Sequence, residues 1–139
     1  MIVLDTNVIS EVMRPAPDAA VMAWLRAQPL SAIATTTVSL AEIDYGLCRL
    51  PPGRRRADLE AKLRTFLARG FGDRILPFDA AAAGLYGGIV TTRQAMGLPI
   101  DAFDAMIAAI ARSRVAAIAT RNIADFAGCG LTVLDPWRT

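Results

Sequence analysis

The stretch that decides the fold is Met1-Ile-Val-Leu-Asp-Thr-Asn-Val-Ile-Ser10, at the start of the chain. Its residues 2–4 form a continuous apolar run, which is typical of a strand buried on both faces, as in a parallel sheet. Asp5 then places a carboxylate at the C-terminal end of that strand, where open α/β sheets bind their ligands. Asp5 or Thr6 could instead serve only to cap the helix that follows from Val8.

Further apolar runs alternate with amphipathic segments along the rest of the chain. The predicted strands are residues 2–4, 32–36, 75–78, 116–120 and 131–134, and helical patterns lie between them. This alternation predicts an α/β fold, with a central parallel sheet of four to five strands and helices on both faces. Because no linker, repeat or low-complexity tract interrupts it, we expect one domain over residues 1–139. Pro77 predicts that the third strand lies at an edge.

The composition excludes several kinds of chemistry. Apolar residues make up 54% and charged residues 20% of the chain, which is typical of a globular protein. There is no histidine, so Ser-His and Cys-His nucleophile pairs and histidine-ligated zinc are excluded. Cys48 and Cys129 are the only cysteines and are predicted to be small core residues in a reducing cytoplasm. No basic segment followed by an apolar one begins the chain, and no apolar stretch is long enough to span a membrane.

Polar side chains follow the predicted strands or begin the helices next to them. Asp5 ends the first strand, Glu42 and Asp104 lie near helix starts, and Asn122 and Asp125 follow the fourth strand. These segments can converge on one edge of the sheet, where clustered carboxylates repel unless a cation neutralises them. A hard cation with oxygen ligands, Mg²⁺ or Mn²⁺, satisfies that requirement.

Each of these acids also has a purely structural interpretation. Ser39 and Glu42 have the spacing of a capping box. Asp101 is predicted to be the N-cap of a helix whose buried stripe includes Phe103 and Ile107. Asp125 could be an exposed helix residue, and the residues alone leave these alternatives open.

The chain resembles the PIN-domain ribonucleases, specifically VapC-type toxins of bacterial toxin–antitoxin pairs and their FitB-like relatives. The resemblance covers essentially the whole length, so it implies a PIN-like three-layer α/β/α fold. It rests on six stretches in order: Val-Leu-Asp-Thr-Asn-Val-Ile-Ser at 3–10, Ser-Leu-Ala-Glu-Ile-Asp-Tyr-Gly at 39–46, Asp-Arg-Ile-Leu-Pro-Phe-Asp at 73–79, Pro-Ile-Asp-Ala-Phe-Asp-Ala-Met-Ile-Ala-Ala at 99–109, Ala-Thr-Arg-Asn at 119–122 and Asp-Pro-Trp at 135–137.

The resemblance implies a metal-dependent endoribonuclease, the toxin of a type II toxin–antitoxin module. The family's acidic positions fall on Asp5, Glu42 and Asp104, which would hold Mg²⁺ or Mn²⁺. The fourth polar position falls on Asn122, where close relatives often carry Asp, and Asp125 could compensate for the missing charge.

Within the family's first motif, Thr6 and Asn7 would orient Asp5 and a metal-bound water. The resemblance further implies an RNA substrate, a homodimer, a cognate antitoxin that blocks the acidic pocket, and binding to operator DNA only through the antitoxin complex.

The main alternative is a catalytically weak or inactive PIN-like module that binds a protein partner, and Asn122 is the residue that favours it. Other functions of doubly wound folds fit less well. A phospho-accepting receiver domain needs a lysine at a strand end, and the only lysine, Lys62, lies in the middle of a predicted helix. An Asp-x-Asp phosphatase is excluded because position 7 is Asn.

Overall fold

A computed structural model describes residues 1–138, in which five parallel strands form one sheet in the order β3-β2-β1-β4-β5. The strands are β1 Ile2–Leu4, β2 Ile33–Thr36, β3 Ile75–Leu76, β4 Ala117–Ala119 and β5 Val133–Leu134. The helices are α1 Thr6–Val12, α2 Ala19–Ala27, α3 Thr37–Cys48, α4 Arg54–Gly70, α5 Ala80–Ala95, α6 Ala102–Ser113 and α7 Ile123–Phe126, and 3₁₀ turns cover Leu30–Ala32 and Pro136–Arg138. The α/β prediction is confirmed, and Pro77 follows an edge strand as predicted.

Strand β1 is the centre of the molecule because it pairs with β2 on one side and β4 on the other. Its two inner residues point to opposite faces, as the period of two in a strand requires. Val3 belongs to the apolar cluster shared with α5 and α6, while Leu4 belongs to the cluster shared with α1, α2 and α4. Both residues are fully buried. The sheet is therefore covered on both faces, which gives the three layers.

Three helices begin at aspartate N-caps, and the cap predicted at Asp101 is confirmed. The side chains of Asp18, Asp79 and Asp101 each accept hydrogen bonds from backbone N–H groups in the first turn of α2, α5 and α6. The capping box predicted for Ser39 and Glu42 is wrong. Thr36 is the N-cap of α3 and accepts from the N–H of Ser39 at 3.0 Å. Helix α3 therefore begins before Ser39, and Glu42 lies in its second turn, free for another contact.

Two predictions about burial are also wrong. Cys48 lies exposed at the end of α3, and only Cys129 is in the core. Phe103 remains 50% exposed, because the buried face of α6 is formed instead by Ala105 and residues 107–111. Within the part of the chain that the structure describes, no helix is both long and apolar enough to cross a bilayer.

Candidate active site

Asp5 is fixed at the C-terminal end of β1 by contacts on every side. Its backbone N–H donates to the carbonyl of Ala119 on β4 at 3.0 Å. Its Oδ1 accepts from the N–H of Thr6 at 2.8 Å, so Asp5 is itself the N-cap of α1. Its Oδ2 accepts from the hydroxyl of Thr120 at 2.8 Å and the side-chain amide of Asn7 at 3.3 Å. Asp5 thus caps a helix and lines a cleft at once, so the two interpretations of this residue do not exclude each other.

Thr6 connects the first motif to α3. Its hydroxyl donates to Oε1 of Glu42 at 2.8 Å, across 36 positions of sequence. The contact fixes the Glu42 carboxylate beside Asp5, and it takes the place of the predicted capping box. Thr6 therefore orients Glu42, while the contacts to Asp5 come from the Thr6 backbone and from Asn7.

Thr120 is a site residue that the sequence analysis did not single out. It is fully buried, and its hydroxyl donates to Asp5 while accepting from the Asn7 amide at 3.2 Å and the N–H of Asn122 at 3.0 Å. One oxygen thereby joins three of the predicted site residues. A signal was present in the sequence, because Thr120 is the first polar residue after β4, the strand that pairs with β1.

An open cleft of about 440 Å³ lies at the C-terminal edge of the sheet, in front of buried Thr120. The cleft brings together six predicted residues: Asp5, Thr6, Asn7, Glu42, Asp104 and Asn122. Its other lining residues are Ser10, Glu11, Arg14, Arg121 and Trp137, none of which was predicted as a site residue. Asp125 does not line the cleft and is exposed on α7.

Burial and neighbouring negative charges raise the pKa values of three carboxyl groups in the cleft. Burial and the nearby charges of Asp5, Asp101, Asp125 and Glu42 raise the pKa of Asp104 to about 7. Burial raises the pKa of Asp5, partly offset by the hydrogen bonds from Thr120 and Thr6, and the charge of Asp125 raises it further. The pKa of Glu42 is raised by burial and by the charges of Asp5 and Asp101, against the opposing effect of its bond to Thr6. Asp125 thus acts on the site through its field.

No basic side chain neutralises these acids within residues 1–138. Arg14 lines the cleft but pairs with Glu11 at 3.2 Å, and Asp5, Glu42 and Asp104 form no ion pair. Uncompensated carboxylates at one edge match the oxygen donors that Mg²⁺ and Mn²⁺ prefer. In the same described region no three acidic or cysteine side chains lie close enough to form a ready-made cage. The donor set fits a hard cation held partly through water.

Arg93 supports the site from behind, a role that no sequence pattern predicts. Its guanidinium is 3% exposed, and Nη1 donates to the carbonyls of Ala124 at 2.9 Å and Ala127 at 2.7 Å. Nη2 donates to the carbonyl of Pro99 at 3.4 Å. These contacts tie α7 and the segment that leads into α6 to one buried cation, and so fix the elements that carry Asp125 and Asp104.

The fold and the cleft define a class of α/β proteins that gather carboxylates at the C-terminal edge of a parallel sheet. Residues 2–127 match the PIN domain family, and the chain belongs to that family. It is 36% identical to a VapC ribonuclease, Y4jK, of Sinorhizobium fredii, with 99% of this chain and 98% of the relative covered. It is also 36% identical to toxin FitB of Neisseria gonorrhoeae, with 99% of both chains covered.

A solved structure shows the same fold in an assembly. The structure of FitAB bound to an IR36 DNA fragment contains a chain that is 35% identical, with a TM-score of 0.93. The match covers 100% of this chain and 97% of that one. The family and fold that the sequence motifs implied are thereby confirmed.

Proposed function

We propose that this PIN domain is a metal-dependent endoribonuclease, the toxin of a type II toxin–antitoxin module. The observation that carries the proposal is the set of uncompensated carboxylates of Asp5, Glu42 and Asp104 at the ligand-binding edge of the sheet, whose pKa values are raised by burial and by neighbouring negative charge. The names of the relatives, a VapC ribonuclease and a toxin, support the reaction class and the biological role.

The roles of the side chains follow from their contacts. Asp5, Glu42 and Asp104 would hold one or two Mg²⁺ or Mn²⁺ ions, directly or through water, with Asn122 contributing a neutral amide oxygen. When bound, the ion lowers the pKa of water and stabilises negative charge on a phosphodiester in the transition state. Thr6 orients Glu42, and Asn7 orients Asp5, through the hydrogen bonds already described. Asp125 increases the negative field that attracts the cation.

A cleavage assay with matched variants tests this function. The purified protein should cut RNA with Mg²⁺ or Mn²⁺ and lose activity in EDTA, and Asp5→Asn and Asp104→Ala should each lose at least about 100-fold in rate. Asp73→Asn is the control, because Asp73 is exposed and precedes β3, at the N-terminal ends of the strands and away from the cleft. Cleavage that survives EDTA would refute the metal role. Sequencing RNA 5′ ends after induction of wild type and Asp5→Asn side by side would identify the cleaved sites.

One residue favours a second function, a PIN-like module that binds a protein partner and cleaves nothing. Asn122 supplies no charge at the position where an acid was expected, and no preformed cage exists among residues 1–138. Calorimetric titration with Mn²⁺ separates the two functions. Heat of binding that is lost in Asp104→Ala supports the nuclease, while its absence in the wild type supports the binding module.

We also propose a cognate antitoxin as partner, in a cytoplasmic homodimeric complex that contacts operator DNA only through the antitoxin. Its support is the DNA-bound FitAB assembly, together with a groove next to the cleft. The groove shares Thr6 and Glu42 with the cleft, and Met13 and Leu59 give it an apolar lining. Its basic residues are Arg14, Arg54, Arg55 and Lys62. An antitoxin segment with apolar and acidic side chains fits this lining and would cover the acidic pocket.

The groove can be tested separately from the nuclease. The double substitution Arg54→Glu and Arg55→Glu should leave RNA cleavage intact, because neither residue lines the cleft. It should weaken neutralisation when the product of the neighbouring gene is co-expressed, because like charges then face the acidic segment. Full neutralisation of this variant would exclude the groove as the antitoxin site.

A further inference from the structure

Arg121 and Trp137 form a stacked pair on the wall of the cleft, beside the carboxylates. The guanidinium carbon of Arg121 lies 5.2 Å from the centroid of the Trp137 ring, which is within the range of a cation–π contact. Both residues line the same cleft as Asp5 and Asp104. Neither side chain contacts the acidic cluster, so their position in the cleft indicates a separate function.

Both members of the pair are held in place by the fold. The backbone N–H of Arg121 donates to Oδ1 of Asn7 at 3.3 Å, which ties it to the first motif. The N–H of Trp137 donates to Oδ1 of Asp135 at 2.9 Å, and its half-buried ring packs against the apolar cluster around Leu4. The ring therefore supports the guanidinium, while Arg121 remains exposed to solvent.

Within residues 1–138 the guanidinium of Arg121 contacts the Trp137 ring and no acidic side chain. Among residues 1–138 its side chain forms no ion pair and no hydrogen bond, although three carboxylates share its cleft. Arg14, the other cation on the cleft wall, is engaged with Glu11. A planar guanidinium with free N–H groups matches the two oxygens of a phosphate. Unpaired RNA bases also stack on such planes.

We propose that Arg121, supported by Trp137, binds the nucleotide next to the scissile phosphodiester in single-stranded RNA. Arg121 donates N–H groups to the phosphate of that nucleotide and presents its outer face to the base. Trp137 holds the guanidinium plane in position and keeps it from collapsing onto the carboxylates. This inference rests on the proposed nuclease function and names the side chains that place the RNA strand across the site.

Binding measurements at several salt concentrations test the pair. The assay follows the fluorescence anisotropy of a labelled, mixed-sequence single-stranded RNA in Mg²⁺, with all proteins in the Asp5→Asn background so that the RNA stays intact. Arg121→Ala should bind about 10-fold more weakly. It should also lower the magnitude of the slope of log K against log salt by about 0.7, since one phosphate contact on a single strand is lost.

Two further variants separate the charge from the plane. Arg121→Lys keeps the charge, so it should keep the salt slope while losing part of the affinity. Trp137→Leu should behave in the same way, because the charge of Arg121 remains but its support is removed. Thermal melting of each variant shows that it is folded, and Trp137→Met, which also lacks a ring, replaces Trp137→Leu if the latter is not.

Arg114→Ala is the matched control, because Arg114 is an exposed arginine between α6 and β4, at the opposite edge of the sheet. An equal loss of slope in this control, or wild-type binding by Arg121→Ala, would overturn the proposal. Cleavage by the chain with Asp5 intact is measured separately. RNA cleavage that does not depend on Arg121 refutes this inference alone, whereas Arg121-dependent binding without cleavage refutes only the nuclease function.

Discussion

Replacing Asp104 with Asn should make the metal-free protein more stable while it abolishes the proposed activity. Asp104 lies at the start of α6, where burial and the charges of four other acids raise its pKa from 3.8 to about 7. The folded protein therefore binds a proton more tightly than the unfolded chain does. Stability that is fully present below about pH 4 is lost as the pH rises through about 7.

The magnitude follows from the two pKa values. A rise from 3.8 to about 7 corresponds to about 4 kcal/mol if all of it opposes folding. Asp104 is only half-buried, so screening by water reduces the penalty to about 1–2 kcal/mol. Asparagine has nearly the same shape and no charge, so Asp104→Asn should recover this amount above about pH 8 and almost none below about pH 4.

Thermal melting in EDTA at both pH values measures the effect. The variant should melt about 3–6 °C above the wild type near pH 8. Adding Mg²⁺ or Mn²⁺ should raise the melting temperature of the wild type, because the ion supplies the missing positive charge, and should remove the advantage of the variant. A variant no more stable than the wild type near pH 8, or equally stabilised below about pH 4, would refute the electrostatic reasoning.

Three other substitutions test the supports of the site and one strained position. Thr120→Val should destabilise the protein by about 1–3 kcal/mol in urea and slow cleavage, because it removes a hydroxyl that donates to buried Asp5; Thr120→Ser should restore both. Arg93→Met should cost about 3 kcal/mol in the same assay, because three carbonyl groups lose a charged donor; a loss under about 1 kcal/mol would contradict that account. Val115→Asn should instead stabilise the folded protein by about 1 kcal/mol without changing activity. Val115 is 93% exposed at φ 51°, a backbone conformation that β-branched residues disfavour. An unchanged stability would mean that this strain is negligible.

The sequence predicted the fold well where its signals were local. Asp79 and Asp101 are recognisable N-caps because each precedes a helical pattern and its side chain reaches N–H groups two or three residues on. The capping box predicted at Ser39 was wrong because the helix begins earlier than the local pattern indicates. Thr36, the last residue of β2, already caps α3, so the later serine and glutamate match the motif by spacing alone.

The acidic residues of the site could be predicted from the sequence, but the residues that hold them in position could not. Asp5, Glu42 and Asp104 follow from strand ends and helix starts, because parallel strands bring those positions to one edge. The contact between Thr6 and Glu42 depends on how α1 lies against α3, which no local pattern encodes. Arg93 is harder to predict still, because an arginine in a helix is usually a surface residue. Its burial depends on carbonyl groups of α7 and of the segment that leads into α6.

Pairing of β1 with β4 has a consequence for synthesis on the ribosome. Asp5 is translated early, but its partners Ala119 and Thr120 emerge only after more than a hundred further residues have been added. Until then β1 lacks a neighbour on one side, and the carboxylate lacks the hydroxyl that orients it. Domains fold as units during elongation, so the C-terminal edge of the sheet that carries Asp5 is completed late. We therefore expect a nascent copy of this chain to lack a complete cleft until residues 119 and 120 have been added.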